Sequence, residues 1–455
     1  MFPPMTERLS FLKTELKLQS FILALALSVF VGARTLGPGC LDGPYIQCVT
    51  TNSVIVRWRT TSYRPIRCTF EYRLGVDKQW RQLYSDSSTD GHQLTITNLI
   101  PGSRYLYRIS TPCRRIAAGP GVAFQTAPLL SSYRSIRTWV LGDSGTGNQH
   151  AYAVREGALR CCKGKAPDII LMLGDNAYEK GSRFDHHRGL FLPYREQLWS
   201  ALLCPALGNH DTITRATEPE HFLFEEIFSV YPRVEVENTF AVRRRTFYSF
   251  NWSNIHFVCL DSNAASISNQ LAVISWLKQD LQGSKDQDWL IAYWHHSPYS
   301  FGHHDSDEEQ ESTVMRTTFL PLLEEYGADL ILTGHNHAYG RTDLIYRHYD
   351  EGRTFVAARH VIAPLGTNVN ATVRKPRIRG TGQGTVYVVL GCSGKLESKS
   401  LDHPAMTMKL NVYGSLLLDV DRLRLKCTFV DHMGTVRDAF GIVKDADQLK
   451  TSETL

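Results

Sequence analysis

Five short apolar runs in this chain stop at an acid, an amide or a histidine, four of them immediately after a glycine, and this repeated ending constrains the fold more than any other feature. The sharpest case is Gly334-His335-Asn336-His337, which closes the run Ala328-Asp329-Leu330-Ile331-Leu332-Thr333. Histidines one residue apart point the same way in an extended chain. Burying both would bring unmet ring nitrogens inside, and a metal ion is the cheapest way to satisfy such a pair. The other endings are Gly142-Asp143, Gly174-Asp175 with Tyr178 close behind, Gly208-Asn209-His210, and His295-His296. One Gly-Asp alone reads as a turn with a capping aspartate. Five such endings in succession describe a sheet whose strand ends share one crevice. Carboxylate, amide and imidazole donors without thiolate suit iron, zinc or manganese rather than a structural zinc finger.

From Arg137 onward these runs alternate with helical patterns, at His150–Arg160, Gln270–Leu281 and Arg316–Tyr326. Strands alternating with helices predict an α/β sheet that gathers ligands at its carboxyl ends. Paired strands are expected at Thr246–Asn251 and Asn254–Asp261. The stretches Gly384–Leu390 and Gly414–Val430 are strand-rich without an intervening helix and complete a two-sheet sandwich. Residues 42–127 read differently, as short alternating strands (53–58, 68–72, 93–96) with a Pro101-Gly102 turn leading to tyrosines at period two, Tyr105 and Tyr107. That pattern is similar to a fibronectin-type-III sandwich. It carries no cluster of catalytic residue types and reads as a structural or positioning module. The stretch 126–135 is a linker by composition.

At 455 residues, two domains with accessory segments are expected. A net charge of +5 is mild over this length and gives no nucleic-acid footprint. The basic clusters Arg243–Arg245 and Arg374–Arg379 read as solvated loops, as does the acidic stretch His303–Glu311. Arg8, Lys13 and Lys17 precede an apolar run, Phe21 to Val31, and then Gly32-Ala33, which is the pattern of a signal peptide over 1–33. The run is shorter than the roughly 18–20 residues of a membrane span. A secreted or periplasmic protein is therefore expected, with no membrane span after cleavage. All ten cysteines lie beyond residue 33 with no C-x-x-C spacing, so disulfides are expected over a thiolate site, without deducible connectivity. Asn251-Trp252-Ser253 and Asn370-Ala371-Thr372 are glycosylation sequons.

In the order D…GD…GNH…H…GHxH, the motifs resemble the calcineurin-like metallophosphoesterase superfamily, and within it the purple acid phosphatases. The superfamily opens with D-x-H; here the third position is Gly145, and the purple acid phosphatases share that D-x-G and supply a tyrosine in G-D-x-x-Y, the place of Tyr178. The resemblance spans about residues 42–440 and implies a fibronectin-III-like all-β domain at 42–127, then an α/β metallophosphoesterase domain at 137–443, a two-sheet β sandwich flanked by helices.

Carried over residue by residue, the resemblance implies a first metal on Asp143, Asp175, Tyr178 and His337 and a second on Asp175, Asn209, His295 and His335, with Asp175 bridging. A tyrosinate favours Fe3+ at the first site; the second is a divalent ion, Fe2+, Zn2+ or Mn2+. Aligning on Trp289 and Tyr299-Ser300 selects His295 as the ligand, whereas aligning on Pro298 selects His296. His210 and His304 are the candidate proton donors to the leaving group, or else phosphate hydrogen-bond donors beside Asn209 and His296. Gly340 replaces a frequent glutamate, and Asp211 replaces the glutamate of G-N-H-E. The implied activity is hydrolysis of phosphomonoesters by attack of a metal-activated hydroxide on phosphorus. A phosphodiesterase of the same superfamily shares this chemistry, and a non-enzymatic exported binding protein would keep the sandwich as its working part. A phosphate ester is the expected partner.

Overall fold

The computed structural model describes residues 39–89, 91–163, 165–214, 222–231, 246–263, 270–397 and 402–445. The expected signal peptide and the Arg243–Arg245 cluster lie outside the described residues.

Two large sheets face each other. The first has ten strands, in the order Ala371–Lys375, Val436–Lys444, Arg424–Asp431, Gly414–Asp421, Ile136–Leu141, Ile169–Met172, Leu202–Pro205, Cys40–Gln47, Val54–Thr60 and Gly91–Ile96. The second has seven: Tyr248–Trp252, Ile255–Cys259, Trp289–Trp294, Leu330–Thr333, Val386–Leu390, Tyr339–Thr342 and Met406–Leu410. The motif-bearing strands are parallel neighbours: 136–141, 169–172 and 202–205 in one sheet, 289–294 and 330–333 in the other.

Side-chain alternation explains the layering. Val140, Leu171 and Cys204 point inward and meet Phe257, Tyr293, Leu332 and Val388 of the facing sheet. Their neighbours Leu141, Ile170 and Leu203 point outward and are covered by Val154 and Ala158 of helix Gln149–Cys162. On the other side, Val258, Leu290 and Ile331 pack under Leu277 of helix Gln270–Gly283 and under Met315 and Leu323. Strands covered on both faces are apolar throughout, which is why Ile169–Met172 and Leu330–Thr333 are buried at every position. The result is helix, sheet, sheet, helix. Helix Gln149–Cys162 starts where the Asn148 side chain accepts from the backbone N–H of His150 and Ala151, and it stops at Lys163 in the left-handed region.

The expected strands at 53–58, 68–72 and 93–96 are present as Val54–Thr60, Thr69–Leu74 and Gly91–Ile96. A further sheet holds Arg81–Tyr84, Thr69–Leu74, Arg104–Ser110 and Arg115–Ala117, with Ala123–Gln125 paired to Arg104–Ser110. The N-terminal strands do not stand apart from the rest: Cys40–Gln47 runs parallel to Leu202–Pro205, at Ile46 opposite Leu202. The first large sheet therefore continues into the N-terminal unit.

Two expectations need correction. Among the described residues no disulfide joins the ten cysteines, and seven of them are buried, so apolar packing takes the place of the expected disulfides. The Arg374–Arg379 stretch is not a solvated loop throughout: Lys375 is buried, Arg377 pairs with Asp288 at 2.7 Å, and Arg379 donates to the Gln287 carbonyl at 3.0 Å. No helix among the described residues is long and apolar enough to cross a membrane.

Candidate metal centre

Each motif leaves its strand through a sharp turn. Asp143, Asp175 and His335 all sit at positive φ, +54°, +52° and +68°, a region that non-glycine residues adopt only uncommonly. The turns aim side chains from both sheets into one crevice. Close approach between the sheets needs Gly334, where an added Cβ would lie 2.5 Å from Asp143 Oδ2.

Three donors gather on one side. The Tyr178 hydroxyl is 3.1 Å from Asp143 Oδ1 and 3.4 Å from His337 Nε2, and His337 Nε2 is 3.4 Å from that same Asp143 oxygen. On the other side His295 Nε2 lies 2.9 Å from Asn209 Oδ1, 3.2 Å from His335 Nδ1 and 3.5 Å from Asp175 Oδ1. Ligand atoms of Asp143, Asp175 and His295 fall within 4.8 Å of one another, all three side chains buried. Asp175 therefore stands between the two groups. All seven residues expected as ligands converge here.

The two adjacent histidines face different ways. His295 turns Nε2 into the cluster and anchors Nδ1 on the Leu173 carbonyl at 2.8 Å. His296 turns its Nδ1 away, 2.8 Å from Ser262 Oγ, and meets the cluster through its ring, with centroids 4.3 Å from His335 and 5.0 Å from His295. His210 rests on the Tyr178 ring at 4.5 Å, with Nδ1 2.7 Å from the Glu179 carbonyl. His304 stacks on His335 at 3.7 Å.

Charge balance in this cluster is unresolved by the protein alone. Burial pushes the Asp143 carboxyl up, but His295, His337 and His335 outweigh it and hold the group at about 2. Burial, aided by the His295 and His304 imidazoles, drives His335 well down. Burial and the adjacent Asp143 and Asp175 push the Tyr178 phenol well up, so it stays protonated. A bound cation would reverse that order and favour the phenolate. Two buried carboxylates amid imidazoles, an amide oxygen and a phenol, with no thiolate, fit iron, zinc or manganese.

A profile of the family described as Calcineurin-like phosphoesterase matches residues 136–339. Purple acid phosphatase 15 of Arabidopsis thaliana is 27% identical over 343 residues, covering 69% of this chain and 55% of its own. Phosphoenolpyruvate phosphatase of Allium cepa is 24% identical over 263 residues, 55% of this chain and 50% of its own. The solved purple acid phosphatase PPD1 of yellow lupin (Lupinus luteus) superposes with a TM-score of 0.67 over 89% of this chain and 75% of that one, at 16% identity. Residues 136–339 thus match the calcineurin-like phosphoesterases, the relatives are purple acid phosphatases, and the fold is shared with a solved one. It spans about half the length of the curated relatives it matches.

Within this site, Gly145 has a steric reason for departing from D-x-H. A Cβ there would lie 2.2 Å from the Asn176 carbonyl carbon and 2.3 Å from the Ala177 nitrogen. The loop that delivers Tyr178 fills the space a histidine at 145 would need.

Sequence reasoning passed over several residues that hold the centre together. Buried Asp211 accepts from the backbone N–H of Asn176, Ala177 and Gly208, at 3.0, 3.2 and 2.9 Å, tying the Asp175 loop to the Asn209 loop. Burial and Asp175 raise its carboxyl to about 7. Glu309, read as part of a solvated acidic loop, instead reaches inward: its Oε1 is 2.7 Å from His304 Nδ1 and 3.2 Å from His335 Nε2. Glu397 accepts from the backbone N–H of His337 and His303, at 3.2 and 3.1 Å. A charged residue just past an apolar strand was the available signal for Glu397. The i, i+5 spacing of His304 and Glu309 on a loop gave none.

Proposed function

We propose that the chain is a binuclear-metal phosphatase that hydrolyses phosphomonoesters, with Fe3+ on Asp143, Asp175, Tyr178 and His337 and a divalent ion on Asp175, Asn209, His295 and His335. The observation that carries this reading is the placement of Asp175 between two oxygen- and nitrogen-donor groups drawn from two facing sheets. Two bound ions would neutralise the phosphoryl oxygens and acidify a water for in-line attack.

The chain's own residues complete the chemistry. As the water oxygen bonds to phosphorus, the phosphorus–alkoxide bond breaks and the departing oxygen needs a proton. His210 and His304 flank the cluster and are the groups to give it. His210 has its Nδ1 fixed on a backbone carbonyl, which leaves Nε2 for the substrate. In His304, burial lowers the imidazole's proton affinity, but the Glu309 carboxylate beside it outweighs this and favours the protonated form. Glu309 also accepts from His335 Nε2, the orientation that would free His335 Nδ1 for a metal. Asn209 and His296 are the other residues proposed to meet the phosphoryl group.

Residues 42–127 are read as a fibronectin-III-like sandwich and 137–443 as the metallophosphoesterase domain, and the apolar segment near the N-terminus supports export. The test is hydrolysis of an aryl phosphate by Asp175→Ala and Asn209→Ala, each checked for a retained fold by circular dichroism. Loss of turnover in both is expected. Undiminished turnover in either folded variant sinks the reading, and a faster rate on an aryl diester than on the monoester would move it to a phosphodiesterase.

A further inference from the structure

Past strand Val386–Leu390 the chain runs Gly391-Cys392-Ser393-Gly394-Lys395-Leu396-Glu397 along the floor of the metal centre. This segment is pinned on both sides of Lys395. Ser393 donates its backbone N–H to the Gly142 carbonyl at 3.1 Å, and Asn148 donates its side-chain amide to the Gly394 carbonyl at 3.2 Å. Beyond Lys395, the Glu397 N–H donates to the His337 carbonyl at 3.1 Å, and the Glu397 carboxylate accepts from His337 N–H. Anchors to the residue before Asp143 and to His337 itself fix where Lys395 can reach.

Its ammonium lies over the face of Tyr178, 3.7 Å from the ring centroid. The other charge near it is Glu179 Oε2 at 3.8 Å, on a side chain largely exposed to water, so that attraction is screened. The Tyr178 ring is fully buried. A cation over a buried π face acts through a low-dielectric medium, where its field is strongest.

We propose that Lys395 is a tuning residue for the Tyr178–metal bond: its charge stabilises the electron-rich ring of the bound phenolate and so sets the energy at which that ring gives charge to a ferric ion. The inference rests on the binuclear reading above, in which Tyr178 is a ligand. Its physical content is a sign. Transfer of an electron from ring to metal leaves the ring less negative beside a fixed positive charge, so the charge raises the transition energy. The same charge favours the more reduced metal.

The experiment is the visible spectrum of the iron-loaded full chain and of Lys395→Met and Lys395→Arg at equal iron content. Lys395→Met is expected to move the tyrosinate band to longer wavelength and to lower the reduction potential of the centre, while Lys395→Arg keeps both near the parent values. A band present in the parent and unmoved in Lys395→Met overturns the inference alone. A parent protein that contains iron but shows no such band overturns Tyr178 ligation and the inference with it.

Discussion

Strand Leu330–Thr333 has a buried charge cluster at each end, and the two are built on opposite plans. At its start Asp329 is buried between two buried lysines, with Oδ1 2.9 Å from Lys375 Nζ and Oδ2 2.9 Å from Lys444 Nζ. The lysines are held in turn by carbonyls, Lys375 by Ala328 and Gly384 at 2.8 and 2.7 Å and Lys444 by Asp288. At its finish His335 and His337 meet Asp143 and Asp175, with no lysine or arginine among the candidate ligands. One end brings its own cations and is a structural lock. The other assembles donors and leaves the cation to be supplied. A buried acid is thus informative only through what faces it.

The contrast can be broken most severely at the metal end. Stripping metal with a chelator is expected to take aryl phosphate hydrolysis to background, and re-adding iron with zinc to restore it; activity that survives verified metal loss would erase the distinction. At the other end, Asp329→Ala leaves two buried ammonium groups without their partner and is expected to cost about 3–5 kcal/mol of unfolding free energy. The measurement is urea denaturation of the metal-free chain. A loss under about 1 kcal/mol would mean the lock is not one. Between these lies Glu309→Gln, which keeps the shape of the carboxylate but not its charge. It should weaken the second metal by roughly 10–100-fold in a titration while leaving the denaturation midpoint nearly unchanged.

The smallest expected effect concerns imidazoles away from the metal centre, on which burial outweighs any nearby carboxylate. His348 and His403 lie behind the Tyr299–His304 loop, where the His403 ring packs at a tilt on Phe301, centroids 4.7 Å apart, and Tyr299 donates to the His348 carbonyl. Burial, helped by His360, takes His348 down from 6.5 to about 4; burial and then His348 take His403 down to about 3. Between pH 6.5 and those values the unfolded chain binds more protons than the folded one, so stability falls on acidification through that window. Unfolding free energy followed from pH 7 to pH 4 should decline, and His403→Gln should flatten the decline. A slope the same in both proteins would remove His403 from the account.

The strand ends were legible because their chemistry is local: a glycine, a polar ligand type and an apolar run occupy six consecutive residues, as at Leu141-Gly142-Asp143. The α/β alternation followed for the same reason, and helices 149–162 and 270–283 fall where the helical patterns at His150–Arg160 and Gln270–Leu281 place them. What could not be read was pairing across distance. Asp329 looked like one polar residue in an apolar run, and Lys375 like one cation in a basic loop, because their contact joins positions 46 residues apart (375 − 329). Asp211 and Glu309 were hidden likewise, since a carboxylate that braces backbone N–H groups or a histidine has no fixed spacing from them. The cysteines misled in another way: their even number suggested pairing, whereas seven of the ten serve as small apolar core residues.

Parallel pairing of Cys40–Gln47 with Leu202–Pro205 also bears on how the protein can be divided. A fragment begun at the linker near residue 130 would keep every candidate ligand and every large helix. It would nevertheless lose the neighbour that covers the flank of Leu202–Pro205, three residues before Gly208-Asn209-His210, and expose a hydrogen-bonding edge of four apolar residues to other chains. The smallest unit that keeps this edge covered therefore includes Cys40–Gln47, and self-association on truncation is the mark by which the join would be recognised.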